Sequence, residues 1–249
     1  MKILKAAVVC LALVLALPCL AAKANPVDTV TIMHDSFGAH DDVKIWGAGR
    51  EGIDVYAGVY MLDKTAGTGN GNTWPNGLMP SFCIELNEQA PDCSRTYEVV
   101  RPKDVYNNFL DEHIGSTKAN YLRELWGRFY NPAWAIGGPY TTQQNTDAEA
   151  FAAAVWEVVY ENLPGSPAGW DVSADGTAGP KGFRCTNVDS AKANGYLHSL
   201  TGCGPKADLY AFVNCGSQDY IVQVPEPATI TLLGLSTILG LMRRKRASA

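Results

Sequence analysis

Apolar positions along the middle of this chain change period several times, and each change marks an element. Residues 54–62 (Asp-Val-Tyr-Ala-Gly-Val-Tyr-Met-Leu) carry β-branched and aromatic side chains with few polar ones, which predicts a well-buried strand. Residues 82–86 and 97–101 predict two more strands, joined by a polar loop that contains Pro91. Residues 207–214 and 220–224 predict a closing pair divided at Gly216. Between these groups the spacing becomes helical. Leu122, Leu125, Trp126 and Phe129 recur at three and four within residues 120–130, giving a helix with one apolar face. Thr146-Asp147-Ala148-Glu149 fits a capping box and opens a second helix. Its stripe is Phe151, Val155, Val158 and Val159, flanked by Ala152, Trp156 and Tyr160, and Pro164-Gly165 ends it. Residues 65–80 and 164–180 are expected to be long loops, rich in Gly, Pro and polar residues. No 20–50-residue repeat is present, which excludes a solenoid or propeller. The expected class is α+β, an antiparallel β-rich body with a small helical part.

The two ends have a different composition. Lys2 and Lys5 precede an apolar stretch over 6–17, and Ala22-Lys23-Ala24 supplies a small-x-small cleavage site, so residues 1–24 are expected to be a signal peptide. Cys19 follows Leu17-Pro18, a poor context for lipoprotein acylation. At the other end Val224-Pro225-Glu226-Pro227 leads into an uncharged apolar run over 228–242, followed by Arg243, Arg244, Lys245 and Arg246. Prolines cannot donate backbone hydrogen bonds and keep the segment extended, open to a processing enzyme. The apolar run predicts one transmembrane helix, shorter than the roughly 20 residues that span a bilayer comfortably. The basic tail 243–246 should stay cytoplasmic, leaving the body on the far side of the membrane.

The order Pro-Glu-Pro, short apolar helix, basic end over 224–249 resembles the PEP-CTERM sorting signal of Gram-negative bacteria. That resemblance implies recognition of Pro225, Glu226 and Pro227 by an exosortase, a membrane protease-transpeptidase. It also implies transient anchoring in the inner membrane, then delivery to the cell surface and its exopolysaccharide. Residues 25–223 are then the exported domain.

Removing the two ends changes the charge. Residues 25–224 carry 13 Lys+Arg against 24 Asp+Glu, a net of −11, whereas the whole chain shows −5. Such a body as a whole lacks the electrostatic footprint for nucleic acid or anionic lipid. It also holds five cysteines, Cys83, Cys93, Cys185, Cys203 and Cys215, an odd number for an oxidising compartment.

Ser81-Phe82-Cys83-Ile84-Glu85 and Phe151-Ala152-Ala153-Ala154-Val155-Trp156-Glu157 resemble, in order and separation, the two signatures of the bacterial surface thioester domains. In that family a Cys thiol and a Gln carboxamide condense to an internal thioester, a stored acylating agent opened by a partner's nucleophile. Counting back from Trp156, the Gln position holds Ala152, which has no carboxamide. The expected body is therefore a degenerate thioester-like domain, non-enzymatic and without cofactor. Gln143 and Gln144 lie too far upstream on a straight helix to replace the missing group. If Cys83 remains a free thiol, the other four cysteines can form two disulfides. If it bridges to Cys93 across the strand loop, one of Cys185, Cys203 and Cys215 is stranded. The Cys83–Cys93 bridge is favoured, because an unprotected exported thiol tends to be oxidised.

Other constellations carry weaker chemistry. His34-Asp35 and His40-Asp41-Asp42 hold metal-ligand types, but a polar loop before the first strand has the same composition, so no metal is expected. Asp171 to Gly176 lacks the alternating acids and closing Glu of an EF-hand. No local sequence supports Cys83 with His113 or His198 as a thiol hydrolase pair. Trp126 and Trp156 are expected in the core. Trp74, Trp134 and Trp170, each near Pro or Gly in a loop, are expected to be exposed candidates for sugar stacking in an adhesin.

Overall fold

A computed structural model describes residues 27–225 except 177. Residues 1–24 (the expected signal peptide), Glu226, Pro227, the expected helix 228–242 and the basic run Arg243, Arg244, Lys245 and Arg246 lie outside the described residues. Among the described residues no helix is long and apolar enough to cross a membrane.

Two 19-residue strands, β1 (Thr29–Gly47) and β2 (Arg50–Thr68), form one long antiparallel hairpin. Its two-residue turn holds Ala48 and Gly49 at φ 49° and 77°, both in the left-handed region that a type I′ turn requires. Gly47 is obligatory for a second reason: a Cβ there would lie 1.7 Å from the carbonyl oxygen of Gly182. After β2 the chain forms a 3-10 turn (Gly69–Thr73), then β3 (Gly77–Cys83) and β4 (Arg95–Val100). Residues 65–80 are thus mostly strand and turn rather than the long loop expected. A small ribbon of β5 (Tyr106–Asn107) and β6 (Glu112–His113) precedes the helices. After these come β7 (Phe183–Thr186), β8 (Leu209–Asn214) and β9 (Ser217–Gln223).

Pairing runs β2-β3-β9-β8-β4-β1, and β1 pairs back to β2, so six antiparallel strands close into a ring with β7 added on the far half of β1. Closure leaves few unpaired strand edges. The class is α+β with an antiparallel sheet, as the sequence pattern implied. The stretch from His34 to Asp42, whose composition reads as a polar loop, lies within β1. The alternation of β1 is present at Val30 and Ile32 and again at Val43 and Ile45, all fully buried. Register shifts between His34 and Ser36 and between Phe37 and His40 break the period between those pairs.

Three helices cover the sheet: α1 (Gly115–Phe129), α2 (Thr142–Tyr160) and α3 (Ser190–His198). α1 buries Ala119, Leu122, Leu125 and Trp126 on one face. α2 is buried continuously from Ala148 to Tyr160, so it is a central helix enclosed by the hairpin, β7, α1 and α3. It begins earlier than expected. Thr141 is the N-cap and Gln144 the third residue: the Thr141 hydroxyl accepts from the Gln144 amide at 3.2 Å, and Gln144 Oε1 accepts from the Thr141 amide at 2.9 Å. Thr146 and Glu149 are interior to the helix.

Glu149 belongs instead to a row of buried carboxylates on α2 and its C-cap. Glu149 accepts from the Asp189 amide at 3.1 Å, and Glu157 from the Asp171 amide at 2.9 Å. Glu161 accepts from the amides of Ala178 and Phe183 at 2.9 and 2.7 Å. Spacings of eight and four keep the three on one side of the helix. They fasten residues 164–183 and the start of α3, so the Gly/Pro-rich segment expected as a long loop is tied down. Gly182 sits so close that a Cβ would lie 1.8 Å from Glu161 Oε1. On α1, Glu124 does the same for Thr201, accepting from its amide at 3.0 Å, and pairs with Arg128 at 3.2 Å.

Burial pushes the carboxyl of Glu149 up to about 7 and that of Glu157 up to about 8, against the amide hydrogen bonds that favour the charged form. Both bind protons more tightly folded than unfolded, where a glutamic acid titrates near 4.3, a roughly standard value. Their stabilisation is complete below that value and is lost as pH rises through about 7 and 8. Asp171 and Glu124 are held low: burial raises them, but hydrogen bonds to Ser173 and Asn194, and to Thr201, Gly202 and Arg128, outweigh it. Their contributions are present above the ordinary carboxylate range and are lost only in acid. Urea unfolding should therefore show stability falling between about pH 5 and pH 8.5, by on the order of 1–3 kcal/mol. Glu157→Gln keeps an acceptor for the Asp171 amide and should flatten that slope; an unchanged slope would contradict the assignment to Glu157.

Candidate functional site

The seam between the end of β3 and α2 brings both segments of the thioester-like pattern together. Phe82 lies against Phe151 with ring centroids 4.7 Å apart and meets Trp126 edge-on at 5.3 Å. The Trp156 indole donates to the Cys83 carbonyl at 2.9 Å. One turn on, the Tyr160 hydroxyl accepts from the Leu86 amide at 2.9 Å. α2 thus satisfies the backbone of the segment that leaves β3, which a buried, unpaired strand end needs. Ala152 is buried on the same helix, 2% exposed.

Cys83 Sγ is buried and donates to the carbonyl of Glu85 at 2.9 Å. Burial pushes its pKa far up; hydrogen bonding with Glu85 and Trp156 offsets part of this, and the charges of Glu85 and Asp219 add to it. Asp219 is itself raised to about 7 by burial, against the hydrogen bond from the Asn214 amide. A thiol in this setting stays protonated, the reverse of the electropositive surroundings that activate a cysteine.

Gln143 and Gln144 are engaged elsewhere. Gln143 donates to Asp147 at 2.7 Å, and Gln144 belongs to the capping box. The carboxamide that does meet the thiol's surroundings is Gln218 on β9. Its Nε2 donates at 3.3 Å to the same Glu85 carbonyl that accepts from Cys83 Sγ, and its buried Oε1 has no partner among the described residues. No spacing along the chain points to Gln218, 135 positions from Cys83; the β3–β9 pairing alone places it there. The hydroxyls of Tyr97 and Tyr220, both fully buried, also lack partners among the described residues.

The Cys83–Cys93 bridge does not form. Cys83 faces the interior while Cys93 is exposed on the intervening loop, so the two side chains point to different environments. All five described cysteines are free: Cys185 is buried on β7, and Cys203 and Cys215 are exposed. The disulfides expected among them are absent from the described structure.

Other sequence candidates resolve as structural groups. His34 and His40 lie within β1, inside an aromatic row with Phe37, Tyr56 and Tyr60. Asp35, Asp41 and Asp42 are exposed. Among the described residues no group of three or more His, Cys, Asp or Glu is placed to hold a metal. Asp171 closes a local turn, accepting from the Ser173 amide at 3.0 Å and from Asn194 at 2.7 Å. His113 and His198 are engaged with the carbonyls of Asp104 and Trp170, at 2.9 and 2.7 Å. Trp74, Trp134 and Trp170 are 1–2% exposed, which corrects their reading as sugar platforms. Trp74 donates to the Gln223 carbonyl at 2.8 Å and packs edge-on against Tyr210 and Phe212; neighbouring Pro and Gly made a core residue look like a loop residue.

The end of β9 leads directly into the sorting signal. The Val224 amide donates to the Asp208 carbonyl at 2.8 Å, the last backbone bond before Pro225, which is exposed. Residues 223–246 match the family described as the PEP-CTERM protein-sorting motif. The chain carries that motif. It is an exported protein with a transient C-terminal membrane anchor before processing by an exosortase. No curated protein and no solved structure matches the chain.

Under reducing conditions at about pH 8, brief iodoacetamide treatment of the native protein should label Cys93, Cys203 and Cys215, with Cys83 and Cys185 reacting only after denaturation. Peptide mass mapping reads this directly, and rapid native labelling of Cys83 would contradict its placement.

Proposed function

We propose that the exported body is a non-enzymatic cell-surface or extracellular-matrix module, a degenerate thioester-like domain that contacts exopolysaccharide or another surface polymer. The observation that carries this reading is the state of Cys83. Its thiol is buried and donates to the Glu85 carbonyl, and Ala152 occupies the helix position where a carboxamide would be needed. The Cys83 segment and Trp156 then serve as a packing seam. Processing at the Pro225-Glu226-Pro227 motif frees the body from its anchor. Polymer contact is made through groups other than Trp74, Trp134 and Trp170, which the core absorbs.

A specific observation favours a second reading, a covalent adhesin. Cys83 Sγ and Gln218 Nε2 share the Glu85 carbonyl as acceptor. Attack of the thiol on the Gln218 carboxamide carbon would form the thioester and expel ammonia, with the thiol proton leaving on the departing nitrogen. The high proton affinity of Cys83 opposes that step. A hydrolase is weaker still, because His113 and His198 are engaged with the backbone carbonyls of other loops.

Intact mass of the mature protein distinguishes the two. The expected result is a mass equal to the reduced sequence, unchanged by methylamine. A deficit of about 17 Da that methylamine converts to an adduct on Gln218 would establish the covalent adhesin instead. In cells, replacing Pro225, Glu226 and Pro227 by alanine should leave unprocessed protein in the membrane fraction; normal release would remove the sorting motif from the account.

A further inference from the structure

We infer that the end of the body from which the sorting tail leaves is a membrane-docking face, which grips the phosphates of anionic phospholipids in the outer leaflet of the cytoplasmic membrane. The inference rests on the transient C-terminal anchor. Only Pro225, Glu226 and Pro227 separate Val224, still bonded to the sheet, from the apolar run that begins at Ala228. Three residues reach at most about 11 Å even when fully extended. While the tail is anchored, the surface around Val224 is held within reach of the headgroups, at the high effective concentration a short tether imposes.

Two clefts flank that exit, and helix α1 lines both. On one side Arg101, Lys103 and Arg123 surround a cleft of about 430 Å³ whose only acidic lining residue is Asp208. The Arg101 guanidinium lies 3.8 Å from the centroid of the Tyr210 ring and 2.5 Å from Asp208; Lys103 pairs with Asp104 at 2.9 Å. Arg123 bonds through Nε to the Ala207 carbonyl at 2.9 Å and makes no ion pair among the described residues, which leaves its terminal nitrogens for an external oxyanion. In a body of net charge −11 this cleft is an exception, and planar guanidinium groups suit phosphate. On the other side Pro75, Leu78, Pro80, Tyr130 and Pro225 rim an apolar cleft of about 280 Å³ floored by Trp74 and Trp126. Leu78 is 59% exposed, the largest exposure of any described leucine. A cation-lined cleft on one side of the exit and a protruding apolar side chain on the other match a headgroup layer backed by acyl chains. Docking would also fix the orientation of the Pro225-Glu226-Pro227 motif relative to the membrane in which its processing enzyme resides.

Hydrogen exchange on the full chain, compared in detergent, in phosphatidylcholine nanodiscs and in nanodiscs containing phosphatidylglycerol, tests this. Backbone amides of residues 76–79 and 103–104 should exchange at least about fivefold more slowly in the phosphatidylglycerol discs than in detergent. Arg123→Gln and Leu78→Ser, both at solvent-accessible positions, should each remove most of that protection while leaving the amides of α2 unchanged. Equal exchange in all three settings, with the chain firmly integrated in the discs, overturns the docking face and leaves the anchor intact. Failure to integrate overturns the anchor and the docking face with it. Protection already complete in detergent assigns the cleft to the chain's own Glu226, and protection reproduced by inorganic phosphate alone marks a small-anion site; either result overturns the lipid assignment.

Discussion

The structure depends on carboxylates that are buried on helices and spent on backbone amides. α2 is enclosed on every side from Ala148 onward, and Glu149, Glu157 and Glu161 are the groups through which it holds segments that have little regular structure of their own. A buried amide without a partner costs about as much as a lost hydrogen bond, so each of these loops has one low-energy path across the helix. The arrangement is expensive for the carboxylates themselves. Burial raises Glu149 and Glu157 toward neutral pH, so the same contacts that fix the loops make the body sensitive to the medium into which it is exported.

That fixed scaffold determines what Cys83 is. With α2 pinned by its carboxylates, Trp156 and Tyr160 are presented to the β3 exit and bind its backbone. The thiol is left facing inward among Glu85, Asp219 and the tyrosines of the ring. The residue that meets it there is Gln218, delivered by β9 from the far end of the chain. The same strand leads, six residues later, to Val224, where the chain is released into the sorting signal. The interior seam and the exported protein's point of attachment are therefore two ends of one strand.

Several elements could be read along the chain because their signals are local. The strand within β2, those of β4, β8 and β9, and the apolar face of α1 are short runs whose periodicity survives unbroken. β1 was missed because two bulges interrupt its alternation, and because His34, Asp35, His40, Asp41 and Asp42 look like loop residues until pairing partners on both sides are known. The start of α2 was misplaced by five residues since Thr141-x-x-Gln144 and Thr146-x-x-Glu149 are equally good capping boxes. Only the depth at which Glu149 is buried separates them. The three tryptophans assigned to the surface failed for a related reason: Pro and Gly neighbours report a turn and do not report which side of it faces the core.

The sequence by itself determined the address: Pro-Glu-Pro, apolar run and basic end act through their order and composition, which need no folded partner to be legible. It also determined the charge of the exported body, the α+β class and the absence of a glutamine at Ala152. Tertiary structure alone decided which cysteines face inward, which carboxamide approaches Cys83, and which side chains surround the exit of the tail. These depend on contacts between residues a hundred or more positions apart, brought together by ring closure through β1 and by the buried carboxylates of α2, and no local pattern encodes them.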